Sequence, residues 1–319
     1  MSASIGALRG LQQCASPSGR FGIVALDHRQ NLRRMLRPAD PESVSYDELV
    51  AFKREAVRAL APSATAVLLD PEVGAAQCIA DGSLPGHVGL LVALEATGYV
   101  GSPAARISRL LKGWSAGQAR AIGASAAKLL VYYHPAASNA AAQEGLVVRA
   151  VAACREAELP LFVEPLTYSI GPALEGPERR RVIVETARRM SELGADVLKL
   201  QFPYGREETD AGKWREACAE ITSSVQRPWV LLSGDNPPDA FVGLADAACA
   251  AGASGIACGR GIWTEAPQLT GSAREAFFNS VARARLERLV EVVETRARPW
   301  TDAYPRAELD GEDWYKTRS

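Results

Sequence analysis

Eight short apolar runs, none of them alternating with polar residues, set the strongest limit on how this chain folds. They occupy residues 21–26, 66–69, 89–94, 127–132, 161–163, 196–202, 229–232 and 255–258. A strand that is hydrophobic on both faces must have both faces covered, as in a parallel sheet flanked by helices. Longer amphipathic stretches lie between the runs, among them 46–60, 145–158, 178–193 and 239–251. Gly194 and Gly252 each separate such a stretch from the next run, where the glycine that ends a helix belongs. Eight strand–helix units without a compositional break predict an α/β fold: a single (β/α)8 TIM barrel over residues 1–319, with a C-terminal helical tail from about residue 270.

Composition narrows the partners. At 47% hydrophobic and 23% charged residues, the chain can bury a large core. A formal net charge of −1 leaves no general field for nucleic acid or an anionic membrane, so any bound anion needs a local site. The six cysteines (Cys14, Cys78, Cys154, Cys218, Cys249 and Cys258) form no CxxC pair and read as reduced, buried thiols. The first twenty residues lack a signal-peptide core, and Lys128 interrupts the longest apolar stretch, which together predict a cytoplasmic protein. His28, His87 and His134 have no metal-ligand spacing, so no metal and no cofactor is expected. A homo-oligomer, with a symmetric dimer as default, is the expectation for assembly.

The run ends carry the chemistry. Asp27, Asp70, Glu95, Glu164, Lys199, Ser233 and the pair Gly259–Arg260 stand in or just after the runs, and Lys128 lies within its own. In a barrel these positions surround the C-terminal mouth, where active sites are built. Side chains alternate along a strand, so Lys199 shares a face with Val197 and Gln201, opposite apolar Leu198, Leu200 and Phe202. Lys199 therefore points into the barrel, where burial favours the neutral, nucleophilic amine. Lys128 points inward by the same reasoning; it raises the positive potential near Lys199, pairs with a carboxylate such as Asp27 or Glu164, or does both. Glu164 is a candidate proton shuttle if its environment tunes it toward neutral pH. Asp27 either orients a lysine or binds a substrate hydroxyl, and His28 beside it is a candidate substrate contact. An ion pair that merely stabilises the mouth competes with chemistry for either carboxylate alone. Ser233 and Gly234 after the seventh run, with Gly259 and Arg260 after the eighth, match the loops that hold phosphate in many barrels. Trp300, Trp314 and Tyr315 are expected to dock on the barrel, or to fold over its mouth.

The segments Ala25-Leu-Asp27 with Arg29, Leu68-Leu-Asp-Pro-Glu72, Glu95-Ala-Thr-Gly-Tyr99, Lys128-Leu-Leu-Val-Tyr-Tyr133, Glu164 with Leu166-Thr-Tyr168, Asp196-Val-Leu-Lys199, Leu232-Ser233 and Cys258-Gly-Arg260 keep one order along the chain. In this the chain resembles the tagatose-1,6-bisphosphate aldolases of the bacterial lactose-degradation type, within the class I barrel aldolases, over about 22–263. The resemblance implies a lyase that forms a Schiff base on Lys199, with Glu164 as acid/base, Lys128 in support and Asp27 beside it. It further implies phosphate binding by Ser233 and Arg260, and Arg29 belongs to its substrate-facing motif. The substrate implied is a ketose 1,6-bisphosphate such as tagatose or fructose bisphosphate, split to dihydroxyacetone phosphate and an aldehyde.

Departures from that pattern fall where substrate ends would be held. The family's Asp-Gln-Arg is here Asp27-His28-Arg29, Ser169-Ile-Gly171 replaces acidic residues after Tyr168, and the segment 202–216 is shorter. Sulfofructose-phosphate and deoxy-keto-acid phosphate aldolases therefore stay open as alternatives. So does a non-catalytic sugar-phosphate sensor, although a sensor would not need a buried amine.

Overall fold

A computed structural model describes residues 4–304 and Glu312; Trp314 and Tyr315 lie outside the described residues. Its ten strands are β1 (Phe21–Ala25), β2 (Ala66–Leu69), β3 (Gly89–Ala93), β4 (Val100–Ser102), β5 (Ala105–Ile107), β6 (Ala126–Tyr132), β7 (Leu161–Leu166), β8 (Val197–Leu200), β9 (Trp229–Leu232) and β10 (Gly255–Cys258). Eight of them close in the order β1-β10-β9-β8-β7-β6-β3-β2, every pair parallel, while β4 and β5 form a separate antiparallel hairpin. The expected (β/α)8 barrel is the fold observed.

The helices that cover the barrel include α3 (Tyr46–Leu60), α6 (Ala140–Glu156), α7 (Gly176–Glu192), α8 (Ala211–Ser224) and α9 (Pro238–Ala250). A Ser45/Glu48 capping box starts α3. Gly194 and Gly252, at φ 97° and 107°, follow α7 and α9 in the left-handed region that ends a helix cleanly. Beyond residue 270 come α11 (Gly271–Phe277), one π-helical turn and α12 (Arg283–Arg296). Helix α12 packs on α9, β1 and β10, completing the outer ring.

Alternation sorts the strand side chains into two cores. Leu198, Leu200, Leu129 and Val131 face the helices, whereas Val197, Phe162, Phe21, Leu68 and Leu91 fill the barrel. The N-terminal helix was not expected from the sequence, whereas the docking of Trp300 was. Helix α1 (Ile5–Cys14) sends Leu11 and Cys14 into the inner core, and Trp300 joins them there. Tyr304 Oη donates to the Asp196 carbonyl, 2.8 Å away, just before β8 begins. Trp300 thus docks on the barrel at the end opposite the mouth.

Strand β7 runs to Leu166, three residues beyond the expected limit. Its Leu161, Val163 and Pro165 turn their backbone toward β8, but that pairing stops at Val163↔Leu198. Pro165 therefore removes no ladder bond, and the strand carries Glu164 to the mouth. Asp70 behaves differently from expectation. It is fully buried and turned outward to pair with Lys53 of α3, and its other oxygen accepts from the Glu72 and Val73 amides. Asp70 anchors a helix and does not enter the mouth.

Candidate active site

Five ionisable side chains meet at the carboxyl ends of the strands. Asp27 and Glu95 stand two residues beyond β1 and β3, and Lys128, Glu164 and Lys199 project inward from β6, β7 and β8. Lys128 Nζ lies 2.7 Å from Glu95 Oε1, 2.8 Å from Asp27 Oδ2 and 2.9 Å from Glu164 Oε2. Lys199 Nζ lies 2.9 Å from the same Glu164 oxygen. One carboxylate oxygen thus bridges two buried ammonium groups. The Leu130 amide donates to Glu95 Oε2 at 3.0 Å, holding Glu95 in place. Glu95 was legible only as a charge at a strand end; its commitment to Lys128 was missed.

Burial penalises every charge in this cluster, and the neighbours decide the outcome. For Lys128, burial is opposed by Asp27, Glu164 and Glu95, which hold its pKa well above that of an ordinary lysine. Burial raises the Glu164 carboxyl, but Lys128 and Lys199 outweigh it and keep Glu164 below the usual range. Asp27, buried beside Lys128 and Lys199, falls well below it too. Two sequence expectations are corrected here. Glu164 is not tuned toward neutral pH in the free protein but is firmly anionic. Of the two readings of Lys128, the ion pair with Asp27 and Glu164 is observed; with Glu95 as a third partner, Lys128 does not impose net positive charge on its surroundings.

Burial, with the cations of Arg260 and Lys199, pushes His28 down to about 4 against the pull of Asp27. At neutral pH it is an uncharged imidazole, packed edge-on against Trp263 at 5.1 Å. Its Nδ1 is 3.9 Å from Asp27 Oδ1, too far for a hydrogen bond. Arg29 pairs through Nη1 with Glu72 and donates through Nη2 to the Glu95 carbonyl at 2.8 Å, while its Nε has no partner among the described residues.

The loops after β9 and β10 are tied together by Ser233. Its buried hydroxyl accepts from the Gly259 amide at 3.2 Å and the Gly261 amide at 3.4 Å. A Cβ on Gly261 would stand 2.8 Å from Ser233 Cβ, so glycine permits the approach. Arg260 forms an ion pair with the exposed Asp235.

A cavity of about 410 Å3 joins these parts. It is lined by Lys199, Glu164, His28, Ser233, Gly234, Gly259 and Arg260, and by Arg179, Gln201 and Arg206, which sequence reasoning did not single out. A cleft of about 120 Å3 shares Lys199, Glu164 and Arg260 and adds Asp27, Arg29, Glu95 and Tyr132. Among the described residues, no group of three or more His, Cys, Asp or Glu is arranged to hold a metal ion.

A family model described as DeoC/LacD family aldolase matches residues 21–265. The chain belongs to that family. Curated relatives agree with the assignment. The tagatose 1,6-diphosphate aldolase 1 of Enterococcus faecalis is 28% identical over 313 residues, covering 90% of this chain and 94% of its own. The tagatose 1,6-diphosphate aldolase of Streptococcus agalactiae is 29% identical over 296 residues, covering 86% and 88%. Solved structures of fructose-bisphosphate aldolases share the barrel. An archaeal fructose 1,6-bisphosphate aldolase has a TM-score of 0.59 at 20% identity, covering 90% of this chain and 98% of its own. The fructose-bisphosphate aldolase of Slackia heliotrinireducens has a TM-score of 0.61 at 18% identity, covering 91% and 89%.

Proposed function

We propose that this chain is a class I aldolase that cleaves a ketose 1,6-bisphosphate, such as tagatose or fructose bisphosphate, through a Schiff base on Lys199. The observation that carries the reading is the Glu164 oxygen shared by Lys199 and Lys128. A carboxylate in contact with the Lys199 ammonium can take its proton, while Lys128, held charged by Asp27 and Glu95, keeps the pocket from accumulating unpaired negative charge.

The released amine attacks the C2 carbonyl, and Glu164 returns the proton to the carbinolamine oxygen, which leaves as water. Glu164, again a carboxylate, then takes the proton of the C4 hydroxyl. The C3–C4 bonding pair moves into the iminium to give an enamine, and the aldehyde departs. Protonation at C3 and addition of water release dihydroxyacetone phosphate and restore Lys199. Proton transfers of this kind contribute roughly 10²–10⁴-fold in rate. Ser233, Gly234, Gly259 and Arg260 hold the C1 phosphate, with Arg260 leaving Asp235 to do so. Neutral His28 and the Nε of Arg29, which has no partner among the described residues, meet substrate oxygens. The protein acts in the cytoplasm on a small sugar phosphate, as a homo-oligomer with a dimer as default. Among the described residues, no helix is long and apolar enough to cross a membrane.

Borohydride added with tagatose 1,6-bisphosphate should fix a covalent mass on the peptide carrying Lys199, and Lys199→Met should show neither adduct nor turnover. Absence of an adduct with every ketose bisphosphate tried would overturn the Schiff-base assignment.

A further inference from the structure

Breaking the C3–C4 bond needs a donor at O4 as well as a base. With C2 held by Lys199 and the C1 phosphate by the loops after β9 and β10, C3 and C4 run away from those loops. They enter the smaller cleft, lined by Asp27, Glu95, Glu164 and Tyr132. The anionic Asp27 and Glu164 accept the hydrogens of sugar hydroxyls but have none to give. Lys199 is spent on the imine, and Lys128 is committed to three carboxylates. A donor beside O4 would stabilise the charge that builds there as Glu164 withdraws the hydroxyl proton.

Tyr132 meets that need by position. It shares the inward face of β6 with Lys128 and Leu130, and Leu130 pairs in register with Glu164. Tyr132 therefore stands one inward position nearer the mouth than the level of Glu164. Its side chain borders the cleft, and its hydroxyl has no hydrogen-bond partner among the described residues. Burial raises its pKa against the charge of Arg106, and Glu164 adds to the rise, so the phenol carries its proton at neutral pH.

The β4–β5 hairpin fixes this ring. Tyr99 meets it edge-on with 5.0 Å between centroids, and the Arg106 guanidinium lies 5.6 Å from its centre. The Arg106 amide donates to Tyr168 Oη at 3.2 Å, and its carbonyl accepts from Asn139 at 2.7 Å. The Tyr132 amide donates to the Ser108 hydroxyl at 2.8 Å, just beyond β5. A largely exposed hairpin thus fastens both the backbone and the ring of one residue. A cation over the face of a phenol also draws electron density from it, which strengthens the O–H as a donor.

We propose that Tyr132 is a further catalytic residue, its hydroxyl donating to O4 of the ketose as the C3–C4 bond breaks, and that Arg106 positions it. The assignment rests on the aldolase reading and extends it to the half of the substrate that leaves as aldehyde. Tyr132 forms no covalent bond. The O4 proton goes to Glu164, the C3–C4 bonding pair goes to the iminium, and the phenol keeps its own proton. In the reverse direction the same hydrogen bond polarises the aldehyde carbonyl.

The test separates steps that involve O4 from those that do not. Dihydroxyacetone phosphate has no C4. Tyr132→Phe should therefore match wild type in trapping it with borohydride and in exchanging its C3 hydrogen with deuterium oxide. The single-turnover rate of tagatose 1,6-bisphosphate cleavage should instead fall roughly 10- to 100-fold. Arg106→Ala should show the same selective fall, and Arg106→Lys, which restores the cation, should recover part of it. Parallel loss of exchange and cleavage in Tyr132→Phe overturns the O4 assignment, and so does cleavage at the wild-type rate. Unimpaired cleavage in Arg106→Ala overturns the positioning role. A wild type that traps no ketose or ketone phosphate sinks the Schiff-base reading. One that traps normally while Tyr132→Phe cleaves at the wild-type rate sinks the Tyr132 assignment alone.

Discussion

Lys128 shows how much one buried cation can hold together. Its removal in Lys128→Met would leave Asp27, Glu95 and Glu164 crowded at the mouth with Lys199 as their nearest cation. Breaking such a buried pair typically costs about 3–5 kcal/mol, and urea denaturation at neutral pH should read a loss of that size. The pH profile should move as well. Glu164 has a folded pKa below its unfolded value of about 4.3, so its stabilising contribution is present above that value and is lost as acid titrates the folded group. In wild type the carboxylate limb of kcat/KM therefore lies on the acid side of the usual range. In Lys128→Met the limb should move toward neutral pH, and an unmoved limb would remove Glu164 from the proton transfers. The inward direction of both lysines was legible, because a strand with one wholly apolar face leaves its polar residues a single side. Asp27 and Glu164 were legible as partners of Lys128 although Lys128 and Asp27 are 101 residues apart, but Glu95 as its third partner and the Glu164 oxygen shared with Lys199 appear only when the barrel closes.

At the scale of elements, the apolar runs located all eight barrel strands, and three of them to the residue. What escaped was structure set by tertiary contact. The β4–β5 hairpin is short and exposed, and it is held through Arg106, whose guanidinium lies 4.6 Å from the Tyr168 ring centroid and 4.8 Å from that of Tyr99. Neither local propensity nor period reveals such a clamp. The Lys53–Asp70 pair between α3 and the end of β2 was hidden for the same reason: Lys53 read alone is an ordinary helix charge, and Asp70 read alone is one more carboxylate at the mouth. Because both are buried, Lys53→Met should destabilise the protein by about 3–5 kcal/mol while leaving KM unchanged. Parallel denaturation and kinetic measurements would check this, and a large KM effect would mean that Asp70 does reach the site after all.

The whole molecule separates its two ends by purpose. The mouth gathers buried charge, whereas the opposite end is closed by Leu11, Cys14 and Trp300 against Phe21 and Phe162. Truncating a buried tryptophan typically costs about 3–5 kcal/mol. Trp300→Ala should therefore lower the thermal midpoint by several degrees, with kcat and KM intact in the folded fraction. A kinetic defect at a temperature where the variant is fully folded would contradict the division.

The packed interior beneath Lys199 also imposes an order on traffic. Substrate, both products and the water of hydrolysis share the doorway above the strand ends. The aldehyde clears it before the enamine is protonated and water adds to the iminium, so the floor of the barrel acts on the timing of the reaction without touching the sugar.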